Sequence, residues 1–532
     1  MRGSYPRAVA LAAIVIGSFA ASSAIAQKSG GTLKISHRDT PPSVSMHEEA
    51  TVSVAAPMMA VFNNLVVYDQ HKPINSTETI VPELAESWSW SQDAKVLTFQ
   101  LRQGVQWHDG KPFTAEDVKC TWDLLTEKSK QKFRKNPRET WYTNLKDVKV
   151  DGPHQVSFHL GRPQPGILAM LAAGYSPVYP CHVSPAQMRT KPIGTGPFKF
   201  VEFKQNEFIK LAKNPNYWKQ GKPYLDAIEW TIVRSRSTRI LGFVAGEFHM
   251  TFPVDITVPL LKDITSQRPQ ATCELQPTNV SVNLLVNRDA PPFDNAKIRR
   301  AMLLTMDRKA FIDILSEGKN DMGGALLPPP EGQWGLPPER LAKLPGYGGD
   351  MAKNRNEARK LMQEAGYGPN KRLAVKVSTR NIEVYRDPAV ILIDHLKEIY
   401  IDAELDIIDT SQWYGRIARK EYAVGLNLTG SSVDEPDAYF FENYACASER
   451  NYTKYCNADL EKKMVAQSQE LDVKKRQKMV WDIDEQLQLD GARPIISHGR
   501  AATCWQPEVK NVTMHRNSIY NGWRWDDIWL DK

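Results

Sequence analysis

The chain has no C-x-x-C among its six cysteines, which excludes a thioredoxin-like redox motif and a zinc ribbon. It has no H-E-x-x-H either: His47-Glu48-Glu49 leads to Thr51, where the second metal-binding histidine would have to stand. Gly430-Ser431-Ser432 lacks the G-x-S-x-G spacing of a nucleophile elbow. Gly194-Thr195-Gly196-Pro197 has the outline of a phosphate loop. Yet Pro197 offers no N–H, and a strand pattern follows where a helix N-terminus is required. Cys181 and His182 are adjacent, so their side chains diverge, and a turn explains His108-Asp109 more simply than a metal does. With no nucleophile–base pair and no metal-binding spacing, a secreted hydrolase lacks support, and neither an enzyme nor a cofactor is expected. Basic residues are mixed with acidic ones and form no aromatic-interleaved stripe, so no nucleic-acid partner is expected. The densest basic cluster, Lys128 to Arg138, reads as a solvated helix face or loop. No internal repeat is visible.

The long hydrophobic runs are also missing, except at the start. Arg2 and Arg7 precede an apolar stretch from Ala8 to Ala20, and small residues close on Ala24-Ile25-Ala26. That order is a secretory signal peptide, and the stretch is too short for the ~20 residues that span a bilayer. No cysteine stands at the cut to carry a lipid. The expectation is a soluble periplasmic protein, cleaved near Ala26 and starting near Gln27. The remaining length suggests two or three domains, and 42% apolar with 24% charged residues is ordinary for a globular chain. An oxidising compartment permits disulfides. Cys446 and Cys456 flank a polar loop and are expected to pair, whereas Cys120, Cys181, Cys273 and Cys504 fit buried thiols, with their pairing left open.

Periodicity and turn chemistry give the elements. Gly31 to Ser36 reads as a first strand, Ala56 to Leu65 as a short helix, and Lys95 to Leu101 as a half-buried strand facing inward through Leu97, Phe99 and Leu101. Thr114-Ala115-Glu116-Asp117 is a capping box opening a helix to about Thr126. Val148 to Leu160 is predicted as a hairpin, and Phe198 to Leu211 as two strands about Gln205-Asn206. Lys297 to Thr305 and Arg308 to Leu315 are predicted helices, the second capped by Asp307. Met322 to Gly349, rich in Gly and Pro, reads as a surface excursion. A helix over Asn356 to Ala365 precedes a β–α–β series: Leu373 to Ser378, Pro388 to Tyr400, then Ala403 to Ile408. That series favours a parallel sheet with helical cover. Helices follow near Asp459 to Gln469 and Val473 to Leu489. Trp334, Trp413, Tyr414 and Tyr439 fall in predicted loops, where aromatic rings suit a cleft for an organic ligand.

Several segments occur in a telling order. They are Val81-Pro82-Glu83-Leu84-Ala85-Glu86-Ser87-Trp88, then Leu97 to Arg102, Trp107-His108-Asp109-Gly110-Lys111-Pro112-Phe113 with the capping box, and Gly194 to Phe198. Asn214-Pro215-Asn216-Tyr217-Trp218, Asn283 to Asn287, Lys297 to Ala301 and Ala358 to Tyr367 complete the set. The set resembles the family 5 extracellular solute-binding proteins of ABC transporters, the dipeptide- and oligopeptide-binding type, over essentially the whole exported chain. The resemblance implies an α/β, periplasmic binding protein-like fold: two lobes joined by a hinge, with an extra domain in the N-terminal lobe. Domain I would comprise 28–70, 193–281 and 503–532, domain II 71–192, and domain III, the second lobe, 282–502. Crossings near Asn279–Val286 and Ser497–Cys504 would act as hinges. The implied function is capture of a peptide-like or other polar organic solute and its delivery to ABC permease membrane subunits, by a monomer and without chemistry. A module feeding a sensor, or a periplasmic chaperone, is the alternative.

In peptide-binding members a Trp of lobe two packs on the ligand, which Trp413 beside Tyr414 matches. An acidic residue some twenty positions later grips the free amine, and here Ser432 stands there, in Thr429-Gly430-Ser431-Ser432. Losing a charge-assisted bond of about 1.5–3 kcal/mol weakens free-amine peptides roughly ten- to a hundredfold. Either Asp434 or Glu435 substitutes from a shifted loop, or the ligand lacks a free N-terminus, as an opine, a sugar-like or a blocked amino-acid conjugate does. Asp434 and Asp437 equally suit helix capping before Ala438. Met46 and His47 fall where the family's lobe-one loop faces the cleft, or in an ordinary exposed loop. Asn283 is either an amide for the ligand or a sheet residue.

Overall fold

The computed structural model describes residues 27–532, so the segment expected to be a signal peptide lies outside the described residues. Strand Thr32–His37 runs parallel to Ala227–Ile232, which continues antiparallel into Phe208–Lys213 and Phe198–Lys204. Leu33, Ile35, Ile209, Leu211, Ile228 and Trp230 turn inward from this sheet onto Met58, Phe252 and the aromatic C-terminal segment around Trp523 and Trp525. A second sheet follows the order Ala85–Trp90, Val96–Leu101, Gln155–Leu160, Leu145–Gly152. Its alternation is the predicted one: Leu97, Phe99 and Leu101 are buried and Gln100 is exposed. Helix Ala115–Leu125 covers it, and Thr114 and Asp117 form the reciprocal cap. The third sheet has the order Ile401–Ile408, Leu373–Arg380, Val424–Gly430, Thr272–Val286, Ile495–Trp505. Leu373–Arg380 and Ile401–Ile408 pair in parallel across helix Glu383–Lys397, as the β–α–β pattern requires.

The first two sheets form one lobe and the five-stranded sheet the other. Two strands tie them. Thr272–Val286 pairs through Thr272 to Pro277 with Arg500 to Trp505, and through Val280 to Val286 with Val424–Gly430. The register slips between Pro277 and Ser281, where Asn279 adopts a left-handed φ of 50°. The outer half of this ladder joins lobe one by bridges from Met250 to Trp505 and from Ile256 to Ala502. Among the described residues no helix is long and apolar enough to cross a membrane.

Three expectations need correction. The helix placed over Ala56 to Leu65 begins at Val52, because Thr51 caps it by accepting the Ser53 N–H. Pro57 sits inside this helix without an N–H to give, and the freed Ser53 carbonyl is met by His37 Nε2 at 3.0 Å. Met322 to Gly349 is no surface excursion: Ala325, Leu326, Trp334 and Leu336 are buried, and the segment holds a short helix, Pro338–Leu341. Gly324 makes this burial possible, since a Cβ there would fall 2.4 Å from the Asp484 carboxylate that accepts the Ala325 N–H. Trp413 and Tyr414 lie in helix Thr410–Ala418 and Tyr439 in helix Pro436–Tyr444, not in loops. The four cysteines whose pairing the sequence leaves open are paired, Cys120 with Cys181 and Cys273 with Cys504, and Cys446 is joined to Cys456. Cys273 and Cys504 face each other in register on adjacent strands, a proximity that spacing alone does not reveal.

Candidate functional site

Where the two tying strands pass between the lobes, Thr278, Val280, Val282 and Gly499 to Ala501 floor a cavity of about 470 Å³. Lobe one contributes Val52, Val254, Leu260 and Tyr520, and lobe two contributes Leu315, Tyr385, Tyr414 and Leu428. The volume lies within the range of small-molecule sites, which run from roughly 300 to 1,000 Å³. The lobes are closed around it. Gln164 Nε2 donates to Asp437 at 2.9 Å, Trp141 Nε1 to the Ala438 carbonyl at 3.1 Å, and Ser518 Oγ and Asn521 Nδ2 each to the Ser432 carbonyl at 2.8 Å.

The most heavily bonded of these closures joins Asp39, just past the first strand, to Arg380, the last residue of strand Leu373–Arg380. Arg380 donates through Nε to Thr410 Oγ1 at 2.7 Å, through Nη2 to Ser53 Oγ at 3.2 Å, and through Nη1 to the phenols of Tyr385 and Tyr414, each at 3.3 Å. Asp39 accepts from Ser53 Oγ at 2.6 Å and Thr410 Oγ1 at 2.7 Å. Burial pushes the Asp39 carboxyl up, but the charges of Arg380, of His37 once acid protonates it, and of Arg38 outweigh it and hold the group well below the usual carboxylate range. His37 is lowered by burial to about 4 and stays neutral near pH 7. The pair also divides the main cavity, which Arg380 lines, from a polar side pocket of about 160 Å³ lined by Asp39, Asn206, Asp409 and Ser411.

Of the residues singled out in the sequence, Tyr414 lines the cavity. Trp413 points away into the helix's apolar face, fully buried beside Leu285, Ile408 and Ile417, with its indole N–H on Asn427 Oδ1 at 3.0 Å. Thr429 is buried and accepts from Asn427 Nδ2, and Ser431 turns its hydroxyl to the Val433 carbonyl. Ser432 is buried, with a hydroxyl that meets no partner. Asp434 accepts the Gln333 N–H at 2.7 Å, and burial pushes its carboxyl up to about 7. Glu435, rather than Asp434 or Asp437, caps helix Pro436–Tyr444, and it also pairs with Arg476. Met46 and His47 are buried within lobe one, where the His47 ring packs on Tyr179 and bonds the Pro177 carbonyl at 2.8 Å. Asn283 is a sheet residue whose amide donates to Ser281 Oγ at 2.9 Å and whose Oδ1 is buried without a partner.

Gly430 marks one close approach of the lobes. A Cβ there would stand 2.6 Å from Tyr520 Oη and 3.0 Å from Val280 Cγ2. Gly430→Ala is therefore expected to hold the lobes apart, seen as a larger radius of gyration in solution scattering on the solute-saturated protein. Sequence reasoning missed Asp39, Arg380, Tyr385 and Tyr520. The available signal was positional: Asp39 and Arg380 both stand at or just beyond the carboxyl ends of parallel strands, where open α/β sheets bind their ligands.

Comparison with known proteins agrees with this architecture. Residues 79–451 match the bacterial extracellular solute-binding proteins, family 5 (middle region). The chain belongs to that family. Its members are binding proteins that serve transport, not enzymes. Among relatives, the probable di/tripeptide-binding protein 5 of Pseudomonas aeruginosa is 27% identical over 434 residues, spanning 76% of this chain and 77% of that one. Among solved structures, the ABC transporter-associated periplasmic binding protein DppA from Helicobacter pylori, in complex with peptide STSA, aligns with a TM-score of 0.83 at 21% identity, covering 95% of this chain and 99% of that one. The binding protein AgaA from A. tumefacien R10, in complex with agropinic acid, aligns at 0.81 and 21%, covering 94% and 99%. The two-lobed family fold accounts for the pair of crossing strands and the cavity between them.

Proposed function

We propose that this chain is the periplasmic receptor of an ABC importer, which closes its two lobes on a small peptide-like or opine-like solute and delivers it, unaltered, to membrane permease subunits. One observation carries the reading: the cavity is walled by both lobes and floored by the strands that connect them, so occupancy and lobe closure are physically coupled. Residues 1–26 are the export signal, the chain acts as a monomer, and the lobes divide as 28–70, 193–281 and 503–532 with 71–192, against 282–502. The sheet memberships support that division: every strand of the first two sheets lies within 28–281, and the third sheet enters lobe one only through the crossing strands Thr272–Val286 and Ile495–Trp505. The relatives' ligands, di- or tripeptides, peptide STSA and agropinic acid, bracket the solute's size. With Ser432 at the position of the family's amine-gripping acid and Asp434 turned to Gln333, the solute has no need of a free ammonium.

Micromolar capture requires about 8 kcal/mol net, which closure over a cavity of this size supplies. The test is intrinsic tryptophan fluorescence on titration with di- and tripeptides, their N-blocked forms and opine-type conjugates, together with native mass spectrometry of the freshly purified protein. A saturable change and a co-purified solute are expected. Silence across the panel with no bound mass rules the proposal out.

A further inference from the structure

The cavity contains five arginines and a single carboxylate, a composition that at first suggests an anionic ligand. The pairing of those arginines removes the suggestion. Arg38 faces Asp255 at 3.7 Å, Arg236 faces Asp387 at 3.4 Å, and Arg380 holds Asp39. Arg450 holds Glu442, and Arg500 holds Asp321 at 2.7 Å and Glu331 at 3.1 Å. Every arginine on the wall has an acid of the protein within 4 Å, Asp255 being shared by Arg38 and Arg239, so the closed site presents little unspent charge for a ligand to neutralise. A ligand charge would have to break one of these pairs and leave its partner stranded.

The surface left between the pairs is mainly aliphatic, interrupted by Thr51, Thr257, Thr278 and Asn320. Val254 and Leu260 stand on lobe one, Val280 on the tying strand, and Ile314, Leu315 and Leu428 on lobe two. At the outer end Ile314 is 62% exposed, so the apolar wall runs out to the cavity mouth. At the inner end the buried phenols of Tyr385, Tyr414 and Tyr520 gather, two of them bonded to Arg380. We infer that the site selects its solute by apolar bulk and not by charge: a peptide-like molecule with large aliphatic or aromatic side chains and neutral ends, its amide groups meeting the phenols while its side chains lie on the aliphatic wall. This deepens the receptor reading and rests on it.

Calorimetry with four probes tests the inference: N-acetyl-Leu-Phe-amide, N-acetyl-Ser-Asn-amide, and the zwitterions Leu-Phe and Ser-Asn. The blocked apolar probe is expected to bind at least about tenfold more tightly than the blocked polar one, because apolar area removed from water sets the difference. Its affinity is expected to change less than about twofold across a wide range of salt, since no net charge is neutralised. Ile314→Asn, a change at an exposed position that disturbs no core, is expected to weaken the apolar probe about threefold or more, with unfolding curves showing the fold intact. Equal or tighter binding of the polar or zwitterionic probes, a steep salt dependence, or an unweakened Ile314→Asn variant overturns the inference while the capture reading stands. Failure of all four probes overturns it as well. The mass of any co-purified solute then tells the two failures apart: a bound polar solute preserves capture, and none removes both.

Discussion

Arg380→Met is expected to open the lobes. The substitution keeps most of the side-chain volume and removes the charge, leaving Asp39 buried in the closed form without its partner. Breaking a buried pair in this way costs about 3–5 kcal/mol, but lobe opening returns Asp39 to water, so the cost falls on closure rather than on the fold of either lobe. A shift of that size changes the closed-to-open ratio by about two to four orders of magnitude. Solution scattering, or energy transfer between dyes placed on the two lobes, reads it directly. Asp39→Leu with Arg380→Met removes both charges and is expected to recover most of the closure, as replacing buried ion pairs by apolar groups generally does. The pH dependence has a definite sign. Asp39 is held below its ordinary range in the closed form, so its contribution is fully present above the usual carboxylate pKa of about 4 and is lost as pH falls through the depressed value. Closure is therefore expected to persist down to about pH 4 and to loosen only below it. Opening already between pH 5 and 7 would assign the control to another group.

The legible parts of this chain are those written in local chemistry. Helix Val473–Leu489 has its Asp472 cap, its apolar spacing and no breaker inside, and its limits follow from those features. The Thr114–Asp117 box and the alternation of Val96–Leu101 are equally local. The contents of the site are not. Asp39 and Arg380 lie 341 positions apart, and the strands that floor the cavity pair across more than two hundred residues, so no window of sequence contains either fact. Trp413 and Ser432 were reached through resemblance, which fixes a backbone position and leaves the direction of the side chain open. Helix Thr410–Ala418 turns Tyr414 to the cavity and Trp413 into its own apolar packing, a consequence of the 100° between consecutive helical residues. The buried stretch around Ala325 and Trp334 was misread for a related reason. Its apolar residues follow neither helical nor strand periodicity, and their cover comes from helices more than a hundred residues downstream.

Removing the disulfide between Cys273 and Cys504 is expected to be the most damaging covalent change. It closes a separation of 231 residues, for which the chain-entropy estimate is about 5 kcal/mol, against about 2.7 kcal/mol for the ten-residue separation between Cys446 and Cys456. Guanidinium unfolding of the Cys273→Ala/Cys504→Ala and Cys446→Ala/Cys456→Ala variants compares the two. The first is expected to lose nearly twice the stability of the second, and the reverse order would mean that strain or residual structure outweighs loop entropy here. Function should separate them further. Cys273 lies five positions from Thr278 at the cavity floor, on the ladder that couples the lobes, so its loss frays the segment that must stay rigid for closure to follow occupancy. The loop between Cys446 and Cys456 contributes Arg450 to the cavity wall, but Glu442 and the Tyr452 backbone hold that arginine's surroundings without the bond. Cys504 is fully buried, whereas Cys446 and Cys456 are exposed. Mild thiol is therefore expected to open the exposed bridge first with solute binding retained, and binding should fail only when the less accessible bridge, at the lobe-one end of the crossing strands, is reached.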